Sequence, residues 1–258
     1  IYKTSGDLKV NGLVQNKGTL MITNRGKNLT VGQNAIIAND GKTTVRNSGV
    51  KGMNIDGIVI NQNGPVNIEN NAGALNMSKD SWIISKNDAI NIKNNSGYSA
   101  VIDGTLNSLD SDNILIENKH ENGGITIGSN AVVKTDGNVN LTNVGSKAIK
   151  VQGNVQGKDI NVTNSNSHLV LGSALMTEDS KPNLQAENNV NITQENGSVL
   201  NAGTKQTMIA AGKNLNIKVN NGKIGVETGT SGGGYTYGPD GSQVDTAKSI
   251  NADVKGRI

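Results

Sequence analysis

A short motif returns about every two dozen residues along this chain, and that period limits the fold more than any other feature. VNIENNAG (66–73) comes back as INIKNNSG (90–97), with Glu69 replaced by Lys93 and the apolar, Asn and Gly positions kept. The last apolar residue of each such run falls at Ile22, Val45, Ile68, Ile92, Ile116, Leu141, Val162, Ile192 and Ile217. The spacing is 23 to 25 residues, except for one step of 21 and one of 30. Each run alternates apolar and outward residues, as in LMITN, VNIEN and INIKN, which is the period of a strand and not of a helix. A second apolar set follows about nine residues later at Val31, Met77, Val101, Ile125, Leu171 and Val226, with Ile55 and Val151 one place further on. A third lies in AII, IVI, WII and AVV. Three short strands per period of about 23–25 residues predict an all-β, right-handed parallel β-helix.

The composition suits such a solenoid. Phe is absent and aromatics make up 2% of the chain, so a single thick core has no large side chains to fill it. Coils stacked about 4.8 Å apart place like residues over like, and columns of Val, Ile and Leu fill the interior. The 33 Gly supply corners, while only 3 Pro interrupt the ladders. Two residues beyond the anchor stands an Asn in seven of nine coils: Asn24, Asn47, Asn70, Asn94, Asn118, Asn143 and Asn164. Gln194 and Val219 hold the place in the other two. These Asn are expected in left-handed corner conformations, with their amides stacked in a ladder that satisfies the turn.

The pattern fails in two places. TEDSKPN (177–183) falls in the 30-residue step and reads as a loop inserted at a corner. TSGGGYTYGPDGSQ (230–243) has no strand pattern. The expected organisation is a β-helix of about ten coils over 1–226, a Gly-rich loop or linker over 227–247, and a further coil or the start of another module over 248–258.

With 24 Lys and Arg against 21 Asp and Glu scattered along the length, there is no basic stripe, and nucleic acid is not an expected partner. The chain has no Cys, so disulfides and thiolate-held zinc are excluded. Its apolar runs are far shorter than the roughly 20 residues of a membrane helix. The abrupt start at Ile1 reads as that of an internal piece or a processed product.

A polysaccharide-active β-helix needs paired carboxylates, or Asp clusters holding a cation. The nearest approach is Asp103, Asp110, Asp112 and Glu117, with Asp110 and Asp112 two apart in SLDSDN, a spacing more typical of a solvated corner. His120 and His168 stand alone and are expected at exposed corners. No metal, cofactor or catalytic site is expected. Among the rare aromatics, Trp82 is expected to cap an interior column, and Tyr98 to cover a corner. Tyr235 and Tyr237 are candidate surface contacts. Several Asn-x-Ser/Thr triplets invite a glycosylation reading, but Asn140, Asn161 and Asn191 share one repeat position and recur for structural reasons.

GKNLTVG (26–32), GNVNLTNVGS (137–146) and AGKNLNIKVNNGKIGV (211–226) resemble the repeats of filamentous-haemagglutinin-like exoproteins, very large bacterial proteins exported by two-partner secretion. The resemblance covers residues 1 to about 226. It implies a right-handed β-helical shaft, secretion or display at the bacterial surface, and an outer-membrane two-partner transporter for the parent protein. It also implies a host-cell receptor or glycan as partner, with adhesion as the role. A leukotoxin or haemolysin fragment is the alternative within the family, and a polysaccharide enzyme the alternative outside it. The family's secretion domain carries NPNG-like signals. No NPN occurs here, which puts this segment downstream of that domain.

Overall fold

The computed structural model describes residues 1–110, 112–173, 181–202 and 208–226, together with the backbone of 252–254. Tyr235, Tyr237, the Gly-rich 227–247 segment and 177–180 of the expected inserted loop lie outside the described residues.

The chain winds as a parallel β-solenoid of three sheets, each with ten strands in simple coil order. Sheet A contains the anchor runs, among them Leu20–Asn24, Thr43–Asn47, Val66–Asn70, Ile90–Asn94 and Ile114–Asn118. Sheet B follows with short strands such as Gly52–Ile55, Ala74–Met77 and Ala100–Ile102. Sheet C closes each coil with strands such as Ile58–Asn61, Trp82–Ser85 and Thr105–Ser108. Ala252–Val254 pairs in parallel with Ile209–Ala211 as the tenth strand of sheet C.

Register follows the sequence period. Ile22, Val45, Ile68, Ile92, Ile116, Leu141, Val162, Ile192 and Ile217 are successive cross-strand partners. The irregular steps of 21 and 30 residues are therefore absorbed at corners, and the sheet keeps its alignment. Most of the column is closed to solvent, as are the inward columns of the other two sheets. Each such side chain adds about 1.5–3 kcal/mol of transfer free energy. Coils share this core only with their immediate neighbours, so the stability is that of a stack.

Sheet B departs from the expected second set. Its inner column runs Val31, Ile55, Met77, Ile102, Ile127 and Val151. Val101 faces outward in the strand Ala100–Ile102, and Ile125 lies in the neighbouring inward column beside Ala100. A slip of one residue reverses a strand's faces. Here the outer residue is apolar and the inner one is Ala, which hides the alternation.

The ladder Asn differ too. Among the described residues, positive φ outside glycine is confined to Asp110, Asn166, Asn196 and Asn221, so no ladder Asn is left-handed. Each instead lies in a strand of sheet A with its side chain turned inward, the first six as its last residue and Asn164 one before the end. Asn166, two places beyond Asn164, is left-handed, as are Asn196 after Gln194 and Asn221 after Val219.

Candidate functional site

The buried Asn form one continuous hydrogen-bonded chain. The Nδ2 of Asn24, Asn47, Asn70, Asn94, Asn118 and Asn143 each donates to the Oδ1 of the next, at 3.5, 3.1, 3.1, 3.1, 2.7 and 2.8 Å. Asn164 then donates to Gln194 Oε1 at 2.9 Å. Every donor points towards the higher coil. The second amide proton goes to the corner, for example from Asn94 to Tyr98 O at 2.6 Å and from Asn143 to Lys147 O at 2.9 Å. The oxygen also accepts the corner N–H two residues on, as Asn47 does from Gly49 and Asn143 from Gly145. All seven Asn are fully buried. This is structural polar satisfaction, with no group left over for chemistry.

A second inward polar column was not visible in the repeat. Asn39, Asn61, Ser85, Ser108 and Thr135 close successive sheet C strands. Asn61 Nδ2 donates to Gly64 O at 2.9 Å, Ser108 Oγ to Asp88 O at 3.1 Å, and Thr135 Oγ1 to Asp112 O. The signal lay in the polar residue ending IAN, VIN, IIS, LNS and VKT, but its type changes from coil to coil.

The acidic residues do not converge. The Asp103 carboxylate holds the N–H of Asn130 at 3.1 Å and its Nδ2 at 2.9 Å, at the corner between sheets B and C. Asp110 and Asp112 lie at the corner after sheet C, and Glu117 on the outer face of sheet A beside Lys119 at 3.4 Å. Burial pushes the Asp112 carboxyl up, and the charges of Asp88 and Asp110 add to the rise. Among the described residues no three His, Asp or Glu side chains are placed to hold a metal ion. His120 Nδ1 accepts the Asn122 N–H at 3.1 Å, and His168 Nδ1 the Ser198 N–H at 3.0 Å, so both histidines brace corners.

On the outer face of sheet A, Glu69 is in register with Lys93 but pairs with Arg46 in the coil below, where Arg46 Nε donates at 2.6 Å. The guanidinium presents a fork that an ammonium lacks, which favours this partner. Asn161, Asn191 and Asn216 each donate to the Asn one coil below, starting at Asn140, at 3.0, 2.9 and 2.8 Å. This outer ladder runs in the opposite sense to the buried one.

Trp82 corrects the expectation of an interior cap. It begins a sheet C strand and faces outward, 45% exposed, while Ile83 fills the core. Its cross-strand column reads Leu13, Ile36, Ile58, Trp82, Thr105, Val132, and the next outward column reads Gln15, Ala38, Ile60, Ile84, Asn107, Lys134. Leu13, Ile36, Trp82 and Val132 are all exposed. Outward residues of sheet C therefore make an apolar patch over the first four coils, about 14 Å long given the strand spacing; the fifth coil presents Thr105 and Asn107, and Val132 follows in the sixth beside Lys134. The sequence runs AII, IVI, WII and AVV concealed it, since apolar inward and outward residues adjoin in them. An exposed apolar patch of this kind is a candidate interaction surface. At its edge, Gln15, Lys17, Ala38, Asp40, Ile60 and Gln62 border a groove of about 420 Å³. Tyr98, at a sheet A corner, is exposed with Lys147 over its ring at 5.5 Å.

Comparison with known protein families, curated proteins and solved structures finds no match for this chain.

Proposed function

We propose that this chain is a structural and interaction segment of a secreted or surface-exposed bacterial exoprotein, serving host-cell adhesion as a stiff β-helical shaft. The observation that carries this is the unbroken register of sheet A across ten coils, locked over eight of them by an inward amide chain from Asn24 to Gln194. Such a stack of coils is about 43–48 Å long at the strand spacing, with repeated outward positions to present. The repeat's resemblance to filamentous-haemagglutinin-like exoproteins supports export by two-partner secretion, and a host receptor or glycan as the contact.

The test is incubation of the purified segment with erythrocytes and leukocytes, scoring binding and viability separately. Saturable binding without loss of viability is expected. Lysis or death would assign the segment to a haemolysin or leukotoxin. Release of glycan fragments, abolished by Asp110→Asn or Asp112→Asn, would assign it to a polysaccharide enzyme.

A further inference from the structure

We infer that the outer face of sheet C pairs with the same face of a second copy of this chain, the two solenoids running antiparallel about a two-fold axis between the third and fourth coils. Ile58, Ile60, Trp82 and Ile84 flank this axis, Leu13 and Val132 stand in the first and sixth coils of the face, and the polar Thr105 and Asn107 of the fifth coil lie opposite Ile36 and Ala38 of the second copy. A two-fold axis along the strand direction keeps each outward column facing itself and exchanges the first coil with the sixth, the second with the fifth and the third with the fourth. Trp82 then meets Ile58 of the second copy, and Leu13 meets Val132. The strands of the two faces stay aligned, as in ordinary packing of sheet on sheet.

A charge pair outside the apolar patch fits the same operation. At the ends of the face, Lys17 and Asp136 occupy the same corner position of the first and sixth coils, as their neighbours Asn16 to Thr135 show by register. The operation brings Lys17 of each copy to Asp136 of the other. Self-complementarity of this kind is what a two-fold interface requires.

The paired face is about 24 Å by 13 Å, from five coil steps and a four-residue strand. That is less than the roughly 800 Å² per partner of a standard interface, so the pairing is of the weak, reversible class.

Sedimentation equilibrium on the purified chain, with Trp82 emission followed over the same concentrations, tests this. Trp82 is the chain's one tryptophan, so its emission reports this face alone. A monomer–dimer equilibrium is expected, with emission shifting to the blue as dimer forms. Trp82→Lys and Ile36→Lys should each weaken dimerisation about tenfold or more, the loss typical of a central anchor. Both side chains point to solvent in the monomer, and an unchanged melting temperature at low concentration identifies folded variants. Lys17→Glu alone should weaken the dimer, and Lys17→Glu with Asp136→Lys should restore it. A chain that stays monomeric at every concentration overturns the proposal, as does a dimer indifferent to these changes. A monomer whose Trp82 emission responds to oligosaccharides or to membrane vesicles would give the face to a foreign ligand and overturn it equally.

Discussion

At each step of the inner ladder, one amide side chain meets needs that backbone alone leaves open. Asn94 Oδ1 accepts from Asn70 and from Ser96 Oγ at 3.0 Å, while its Nδ2 serves Asn118 and Tyr98 O. Removing the amide strands a donor below and an acceptor above in a closed interior. Asn94→Ala is expected to cost about 2–4 kcal/mol, read by chemical denaturation. Asn95→Ala breaks a comparable amide bond of 2.8 Å at the exposed side of the same corner, and should cost well under 1 kcal/mol. Equal losses would mean that burial does not set the value of these bonds.

Two carboxylates at corners give opposite pH signatures. The Asp7 carboxyl is held down, chiefly by the Asn28 N–H, with help from the Asn28 side chain and from Lys51 and Lys27. Its folded form binds the proton less readily than the unfolded chain, so its stabilisation is present above the ordinary carboxylate range and fades as pH falls through the depressed pKa. Asp112 is pushed the other way. Its ionisation costs the folded state, and that cost is present above the raised pKa and vanishes in acid. Asp112→Asn should therefore raise the melting temperature at neutral pH, and Asp7→Asn lower it, with both differences shrinking towards pH 3. A shift of the same sign in both variants would contradict these environments.

Among the elements, corners are held by close backbone approach. Gly73 has φ of +64°, and a Cβ there would come within 0.9 Å of the Lys51 carbonyl oxygen in the coil below. Gly73→Ala must either push two coils apart or turn the corner, and a loss of about 2 kcal/mol or more in stability is expected on melting. Sheet A was legible in the sequence because its strands alternate cleanly, apolar inside and mainly polar outside, for five or six residues. Sheet B strands of three residues give too few alternations to fix a face, which is why Val101 and Ile125 fell out of place. Sheet C was found as strand but not as surface. In WIIS one apolar residue fills the core and two face outward, and hydrophobicity by itself does not say which. The sequence period located the buried amides because a single residue type recurs. The column of Asn39, Asn61, Ser85, Ser108 and Thr135 conserves only polarity and small size, a weaker signal.

For the molecule as a whole, every sheet pairs a strand only with the coil below and the coil above. Coupling should then depend on coil number and not on residue type. Asn94 and Asn118 share one bond, so deleting either already removes it. The double Ala variant should fall short of the sum of the single losses by about 0.5–3 kcal/mol. Asn47 and Asn143 belong to the same ladder but lie four coils, or about 19 Å, apart. Their losses should add to within about 0.5 kcal/mol. The amide chain is nonetheless directional, all its donors pointing one way, and aligned hydrogen bonds polarise one another. A measurable coupling between Asn47 and Asn143, absent from a control pair of core residues the same four coils apart such as Ile37 and Val133, would show the ladder acting as one unit along the rod. Additivity in both pairs is the expected result, because each amide also spends a proton or a lone pair on its own corner, which ties it locally and interrupts the relay.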